Sequence, residues 1–302
     1  MFKSKNGMSR ALVRRETTAG YLFLLPSLFF FVTFVLYPMF LCIYTSFFDS
    51  NMGKNAVDVF VGLGNYKELF QDKLFLGALK NTVLIVVVAV PTVCAFSLWV
   101  ATAIYDMKPA LTSAFRCIFY LPVVTGSVAV TVVWKWMYNN RYGVFNYLFK
   151  SLGIIDQNIN WLGDARFALW CIILILFTTS VGQPIVLYVS ALGNVDHSLV
   201  EAAQVDGANR RQVFWKIKWA QIMPTTLYIL IITTINSFQC FALIQLLTSG
   251  GPTHSTDTIM YYIYYTAFKL YRYGYGNAMG VVLMIIIAVL SAVQFKLGQQ
   301  SD

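Results

Sequence analysis

Six stretches of this chain run 18 residues or more without a Lys, Arg, Asp or Glu: residues 17–48, 81–105, 117–134, 167–195, 219–256 and 273–295. About 20 helical residues cross the roughly 30 Å hydrocarbon layer of a bilayer. Backbone groups in lipid must be satisfied internally, so only helices or closed barrels span it. The stretches are too long and too continuously apolar for barrel strands. They predict an all-α integral membrane protein of about six transmembrane helices, with 117–134 the shortest. Composition agrees. The 302 residues are 58% hydrophobic and 12% charged, about half the charge of a soluble domain, too little to wet a compact surface. Prolines 26, 38, 91, 122 and 184 fall inside the stretches; each removes a helix donor and is expected to kink its helix.

The net charge of +9 does not point to nucleic acid, because the basic residues sit between the apolar stretches, where they act as topology signals. Lys3, Lys5, Arg10, Arg14 and Arg15 precede the first stretch, and Arg210, Arg211, Lys216 and Lys218 lie between the fourth and fifth. An even number of spans puts both termini and that loop on one side, which the positive-inside rule assigns to the cytoplasm. Residues 1–20 read as a cytoplasmic basic tail, either an interfacial amphipathic helix or disordered. Residues 21–298 read as one transmembrane domain. The first apolar stretch is too long for a signal peptide, and no small-residue cleavage site follows it.

The residues weigh against several function classes. The cysteines, Cys42, Cys94, Cys117, Cys171 and Cys240, lie inside apolar stretches with no CxxC or Cys/His spacing, and His197 and His254 lie in separate loops. No metal site is expected. No G-x-x-x-x-G-K-[ST] phosphate loop occurs, so the chain should not hydrolyse ATP itself. Ion-coupled carriers use intramembrane Asp, Glu or His; the stretches offer none within the hydrocarbon, His254 lying in the Gly/Pro loop that ends the fifth. A membrane enzyme would need a nucleophile with its base, or metal ligands.

Residues 194–218 carry the strongest local signal. Ser198 and Glu201 form an S-x-x-E capping box opening a helix, and Gly207 suits the left-handed residue that ends one. A second helical stretch follows, with Val213, Phe214 and Ile217 on one face. The two make a compact helix-turn-helix at the mouth of the bundle, suited to a protein contact.

The segment Glu201-Ala202-Ala203, Asp206-Gly207-Ala208, Phe214 and Pro224 closely resembles the EAA loop of ABC-importer permeases, where such permeases contact their ATPase. Gly62-Leu63-Gly64-Asn65-Tyr66, Asn81-Thr82, Pro122, Trp134, Trp161-Leu162 and Leu247-Thr248-Ser249-Gly250-Gly251-Pro252 resemble the carbohydrate-uptake branch, in particular the first permease of maltose-type transporters. The resemblance covers roughly residues 20–298. It departs from that permease in having only a short loop, 49–80, where the relative has a large external domain, and in lacking extra preceding spans.

The resemblance implies an ABC type I importer permease in a bacterial plasma membrane, carrying a sugar. It also implies a second homologous permease, two ATPase subunits, and an extracytoplasmic solute-binding protein. This chain would hold no cofactor, since ATP and Mg would sit on the partner ATPase. Glu201, Ala202, Ala203, Asp206 and Gly207 would form the ATPase contact. Ser180, Val181, Gly182 and Ile185 match sugar-contacting positions of the fourth span; Ser237 and Cys240 match those of the fifth, with Gln239 between. Ile185 and Cys240 stand where the relative has an aromatic and an amide. Independently, Ser180, Gln183, Asn236, Ser237 and Gln239 are uncharged groups able to exchange hydrogen bonds with hydroxyls, and Gly182 and Pro184 could break the fourth span locally. The alternatives left open are an ion-coupled carrier and an ABC permease for a polyol or glycerol phosphate.

Overall fold

The computed structural model describes residues 10–50 and 58–299. The chain enters as α1 (Arg10–Phe31), passes through a π-helical turn, Val32–Leu36, and continues as α2 (Tyr37–Thr45). The π turn lies just before Pro38, whose missing N–H interrupts the regular ladder. From Arg10 the backbone is already helical, and residues 1–9 of the basic tail lie outside the described residues. A two-residue antiparallel ladder follows, β1 (Phe48–Asp49) against β2 (Val59–Phe60), a small exception to the all-helical expectation.

After α3 (Gly64–Gln71) comes α4 (Lys73–Tyr105), which starts eight residues before its charge-free stretch. Asp72 caps it, accepting a 2.8 Å bond from the Leu74 amide. Of its buried residues, Phe75, Ala78, Thr82, Ile85, Ala89, Val93, Ser97, Ala101 and Ile104 recur every three or four positions, with Val90 and Val100 widening the stripe. The small ones admit close helix neighbours.

The third predicted span is corrected. Instead of one helix over 117–134, α5 (Pro109–Val124) and α6 (Ser127–Met137) meet at a 96° bend. Pro122 removes a donor just before the break, and Thr125 and Gly126 are extended, with ψ of 128° and 139°. Beyond α7 (Val144–Ser151) lie α8 (Ala168–Ser180) and α9 (Gly182–Gly193), then α10 (His197–Val205) and α11 (Arg210–Val213). A π turn, Phe214–Lys218, leads into α12 (Trp219–Phe238), so the fifth span is helical from Arg210 and ends in the separate short helix α13 (Ala242–Leu247). After α14 (Ile259–Tyr264) and a third π turn, α15 (Tyr273–Gln299) closes the chain. Among the described residues, five helices are long and apolar enough to cross a membrane, or six if the bent pair is one span.

α4 lies at the centre against α9 and α12, and α12 packs in turn on α15. At one end of the bundle Ile104, Leu192, Val195 and Ile222 share a buried cluster; this end carries α10 and α11. The opposite end is pinned by polar side chains. Asn65 donates to the Ser46 and Phe48 carbonyls at 2.8 and 2.9 Å. Asn81 donates to the Ser255 and Asp257 carbonyls, and the Thr82 hydroxyl accepts from the Ile259 amide at 2.9 Å. Trp161 donates to Asn146 at 2.9 Å, beside stacked Trp134, Tyr138 and Phe145. The motif residues of the sugar-branch resemblance thus tie the loops of this end together. Asp72 accepts from the hydroxyls of Tyr262 and Tyr275 at 2.7 and 2.9 Å. Burial pushes its carboxyl upward, but these two bonds and the Leu74 and Phe75 amides outweigh it and hold the carboxyl below its ordinary value.

Candidate functional site: a mid-bundle cavity and its end loop

Halfway along the bundle, α8 and α9 break at Val181. Pro184 has no N–H for the Ser180 carbonyl, and Ser97 of α4 donates to the Val181 carbonyl at 3.2 Å. Gly182 is where α5 comes close: a Cβ there would fall on the Phe119 carbonyl oxygen and crowd Val123.

Beside this break is a cavity of about 150 Å³ between α8/α9 and α12. Ser180 and Gln183 line it from one wall, Thr233 and Asn236 from the other, with Thr179, Tyr228 and apolar Val123, Leu187 and Ile232 completing it. Among the described residues no Asp, Glu, Lys or Arg lines it. Of the nine candidate pathway residues the structure brings three together here: Ser180, Gln183 and Asn236. Val181, Gly182 and Ile185 are buried in helix packing, and so are Ser237 and Cys240; the Cys240 carbonyl accepts from Thr258 at 2.8 Å. Gln239 is exposed, at the break after α12. Tyr228, Ile232 and Thr233 were not singled out from the sequence. They precede Asn236 by eight, four and three residues, so helical spacing from Asn236 would have found them.

At the end of the bundle, α10 and α11 form the expected helix-turn-helix, with one correction. The helix opens one residue before Ser198, and its cap is Asp196, whose carboxylate accepts from the Ser198 amide at 2.9 Å. The Ser198 hydroxyl and amide hold that carboxyl below its ordinary value. The Ser198/Glu201 capping box does not form; the reciprocal box is Asn209 with Gln212, two bonds of 2.9 Å. Gly207 has φ +82°. The Gly207 amide bonds the Gln204 carbonyl at 3.0 Å and the Ala208 amide bonds the Ala203 carbonyl at 2.9 Å, the paired bonds of a Schellman turn. Glu201, Ala202, Asp206 and Gly207 are exposed and Ala203 half-buried. Val205 is 88% exposed and Leu199 50%, leaving an apolar edge next to Glu201. The loop is tied to the bundle by the Asp196 amide on Gln221 at 3.0 Å and by Lys218 Nζ, 5.3 Å from the centre of the Tyr105 ring.

A broken span beside a polar cavity, with a capped helical loop at one end, is an arrangement that suits transport, and comparison with known proteins decides it. Residues 20–299 match the family of binding-protein-dependent transport system inner membrane components. The chain belongs to that family. This permease is 33% identical over 288 residues to the probable ABC transporter permease protein YesP of Bacillus subtilis, covering 94% of this chain and 91% of YesP. It is 32% identical to the lactose transport system permease protein LacF of Rhizobium radiobacter, over 94% and 95% of the two chains. The permease fold also superposes on a chain of a bacterial alginate ABC transporter solved with an alginate pentasaccharide-bound periplasmic protein. The TM-score is 0.80 at 24% identity over 93% of each chain.

Proposed function

We propose that this permease is one of two homologous membrane subunits of an ATP-driven importer for a neutral saccharide, which passes through the cavity between α8/α9 and α12. The cavity carries the reading: Ser180, Gln183, Thr233 and Asn236 line it and can all exchange hydrogen bonds with hydroxyls. A charged cargo would call for a fixed counter-charge that the lining does not have. The lactose permease relative supports a saccharide cargo; the alginate transporter of like fold imports an acidic polysaccharide, so neutrality rests on the lining alone.

The exposed face of residues 197–207 is the contact for an ATPase subunit on the cytoplasmic side, where both termini lie. Two such subunits would hold ATP and Mg, and this chain none. A second permease is supported by the first span, whose helix has none of its most apolar window buried, with Phe23 85% and Phe34 68% exposed. An extracytoplasmic binding protein delivers the sugar to the opposite end.

Uptake of a panel of labelled oligosaccharides by the reconstituted complex tests this. Gln183→Leu with Asn236→Leu removes two hydrogen-bonding groups. Each contributes about 0.5–1.5 kcal/mol, so uptake should fall roughly 5- to 150-fold while the complex still assembles and retains basal ATPase activity. Unchanged rate and unchanged sugar preference would place the pathway elsewhere.

A further inference from the structure

A second cavity, of about 540 Å³, lies between the end of α4 and the α10–α11 segment. Saccharide passage does not use it. Arg210, Lys218, His197 and Gln204 line it with polar hydrogens, and Asp106 is its one carboxylate. Val195 and Val213 give it an apolar wall. Arg210 offers a planar fork that matches phosphate oxygens in pairs, and Lys218 a compact charge.

A separate feature fixes its depth. The π turn Phe214–Lys218 leads Lys218 into the cavity wall, over the Tyr105 ring. Trp215, 53% exposed, has its ring 5.5 Å from that of Trp219, where α12 begins its apolar run. Tyr and Trp concentrate at the headgroup level of a bilayer. Basic pockets between membrane helices on the cytoplasmic side accept anionic headgroups.

We propose that this cavity binds the phosphate of an anionic phospholipid from the cytoplasmic leaflet. The choice of leaflet rests on the cytoplasmic placement of the loop proposed above. A phosphate held by Arg210 and Lys218 bridges the two sides of the α11 turn beneath the end of α4. The bound lipid braces the ATPase-contacting loop against the bundle, so membrane charge regulates that loop.

The purified complex, exchanged into detergent with added phosphatidylglycerol, phosphatidylcholine or inorganic phosphate, tests this by native mass spectrometry of the permease. Phosphatidylglycerol should be retained and phosphatidylcholine not. Arg210→Gln and Lys218→Gln should each lower retention about fivefold, whereas Lys216→Gln, a basic exposed neighbour outside the cavity, should not. Asp106→Asn removes the opposing carboxylate and should raise retention, a gain that misfolding cannot imitate. Equal retention in wild type and the Arg210/Lys218 variants, or an equal loss in Lys216→Gln, overturns the proposal. So does inorganic phosphate binding that depends on Arg210 and Lys218 without any lipid retention. The readout involves neither ATP nor uptake, so failure of the ATPase contact or of the sugar pathway would register separately.

Discussion

Gly207 offers a clean separation between backbone conformation and surface contact. Its φ of +82° lies in the left-handed region, and among the described residues, its chain neighbours aside, no atom lies within 4 Å of where a Cβ would stand. Alanine at this position meets no steric obstacle among the described residues, so its cost is conformational. An L-residue in the left-handed region loses about 1–2 kcal/mol, and about 1.4 kcal/mol is a factor of ten in an equilibrium. Gly207→Ala should therefore shift the closed turn toward its open form by roughly 5- to 30-fold. The two amides that close the Schellman turn, those of residue 207 on Gln204 and of Ala208 on Ala203, report this directly through hydrogen exchange. Asparagine tolerates the left-handed region and should recover most of the protection. Proline cannot reach positive φ and has no N–H, so it should abolish both the turn and uptake. Equal protection of the Ala208 amide in wild type and Gly207→Ala would refute the conformational argument. Restored protection in Gly207→Asn with uptake as poor as in Gly207→Ala would show that the ATPase surface needs a bare Cα here.

Other perturbations follow from individual contacts. Gly182→Ala places a methyl against the Phe119 carbonyl and must push α5 away from the span break; overpacking of this kind costs about 1–3 kcal/mol, read as a lower unfolding midpoint of the purified complex, and an unchanged midpoint would mean that α5 is free to move. Asp72→Ala strips the acceptor from the Tyr262 and Tyr275 hydroxyls and the cap from α4, and should cost about 1–3 kcal/mol. Because the folded Asp72 carboxyl titrates below its ordinary value, its contribution is complete above the unfolded value of about 3.9 and is lost as pH falls through the folded value; the wild type should lose its advantage over Asp72→Ala in that acidic window, and a constant gap down to the lowest pH measured would contradict the assignment. Val205→Cys, in a background lacking the exposed Cys117, should react with an impermeant thiol reagent only after cells are opened; ready labelling of intact cells would invert the topology.

The spans were legible because lipid excludes charge, and charge is visible in a sequence. What charge-free stretches cannot show is where a helix starts or bends. Lys73 and Lys80 hid the first two turns of α4, although Asp72 was there to cap it. The bend at Thr125–Gly126 is a backbone event inside apolar residues, and Pro122 marks only its neighbourhood. At the loop, Asp196 and Ser198 were both suited to cap α10; the carboxylate accepted the Ser198 amide, so the helix began earlier and Glu201 was left pointing outward. In the cavity, side-chain polarity identified Asn236 but could not say which way Ser237 faces. One residue is about 100° of helix rotation, and that rotation carries Ser237 into the packed core.

The connection between the loop and the cavity lies in the chain path. Residues 194–209 join two helices, and those two helices are cavity walls: α9 runs back from Gly193 to Gln183, with Ser180 just across the Val181 break, while the helical run from Arg210 continues through α12 to Thr233 and Asn236. At about 1.5 Å per residue, Gln183 lies roughly 15 Å from the loop along α9. On the other wall Thr233 lies roughly 18 Å along α12 from Gln221, the residue that bonds the Asp196 amide of the loop. The two walls therefore present comparable lever arms to whatever grips α10. The Asp196–Gln221 bond and the Lys218–Tyr105 contact couple the loop to α12 and α4, so a push on the loop is not absorbed at its ends. The helical ladder is least regular at the π turn below α12 and at the break at Val181, and the latter borders the cavity itself. A displacement imposed at the loop would be taken up as a change in the spacing of Gln183 and Asn236, which is the change an alternating-access site requires.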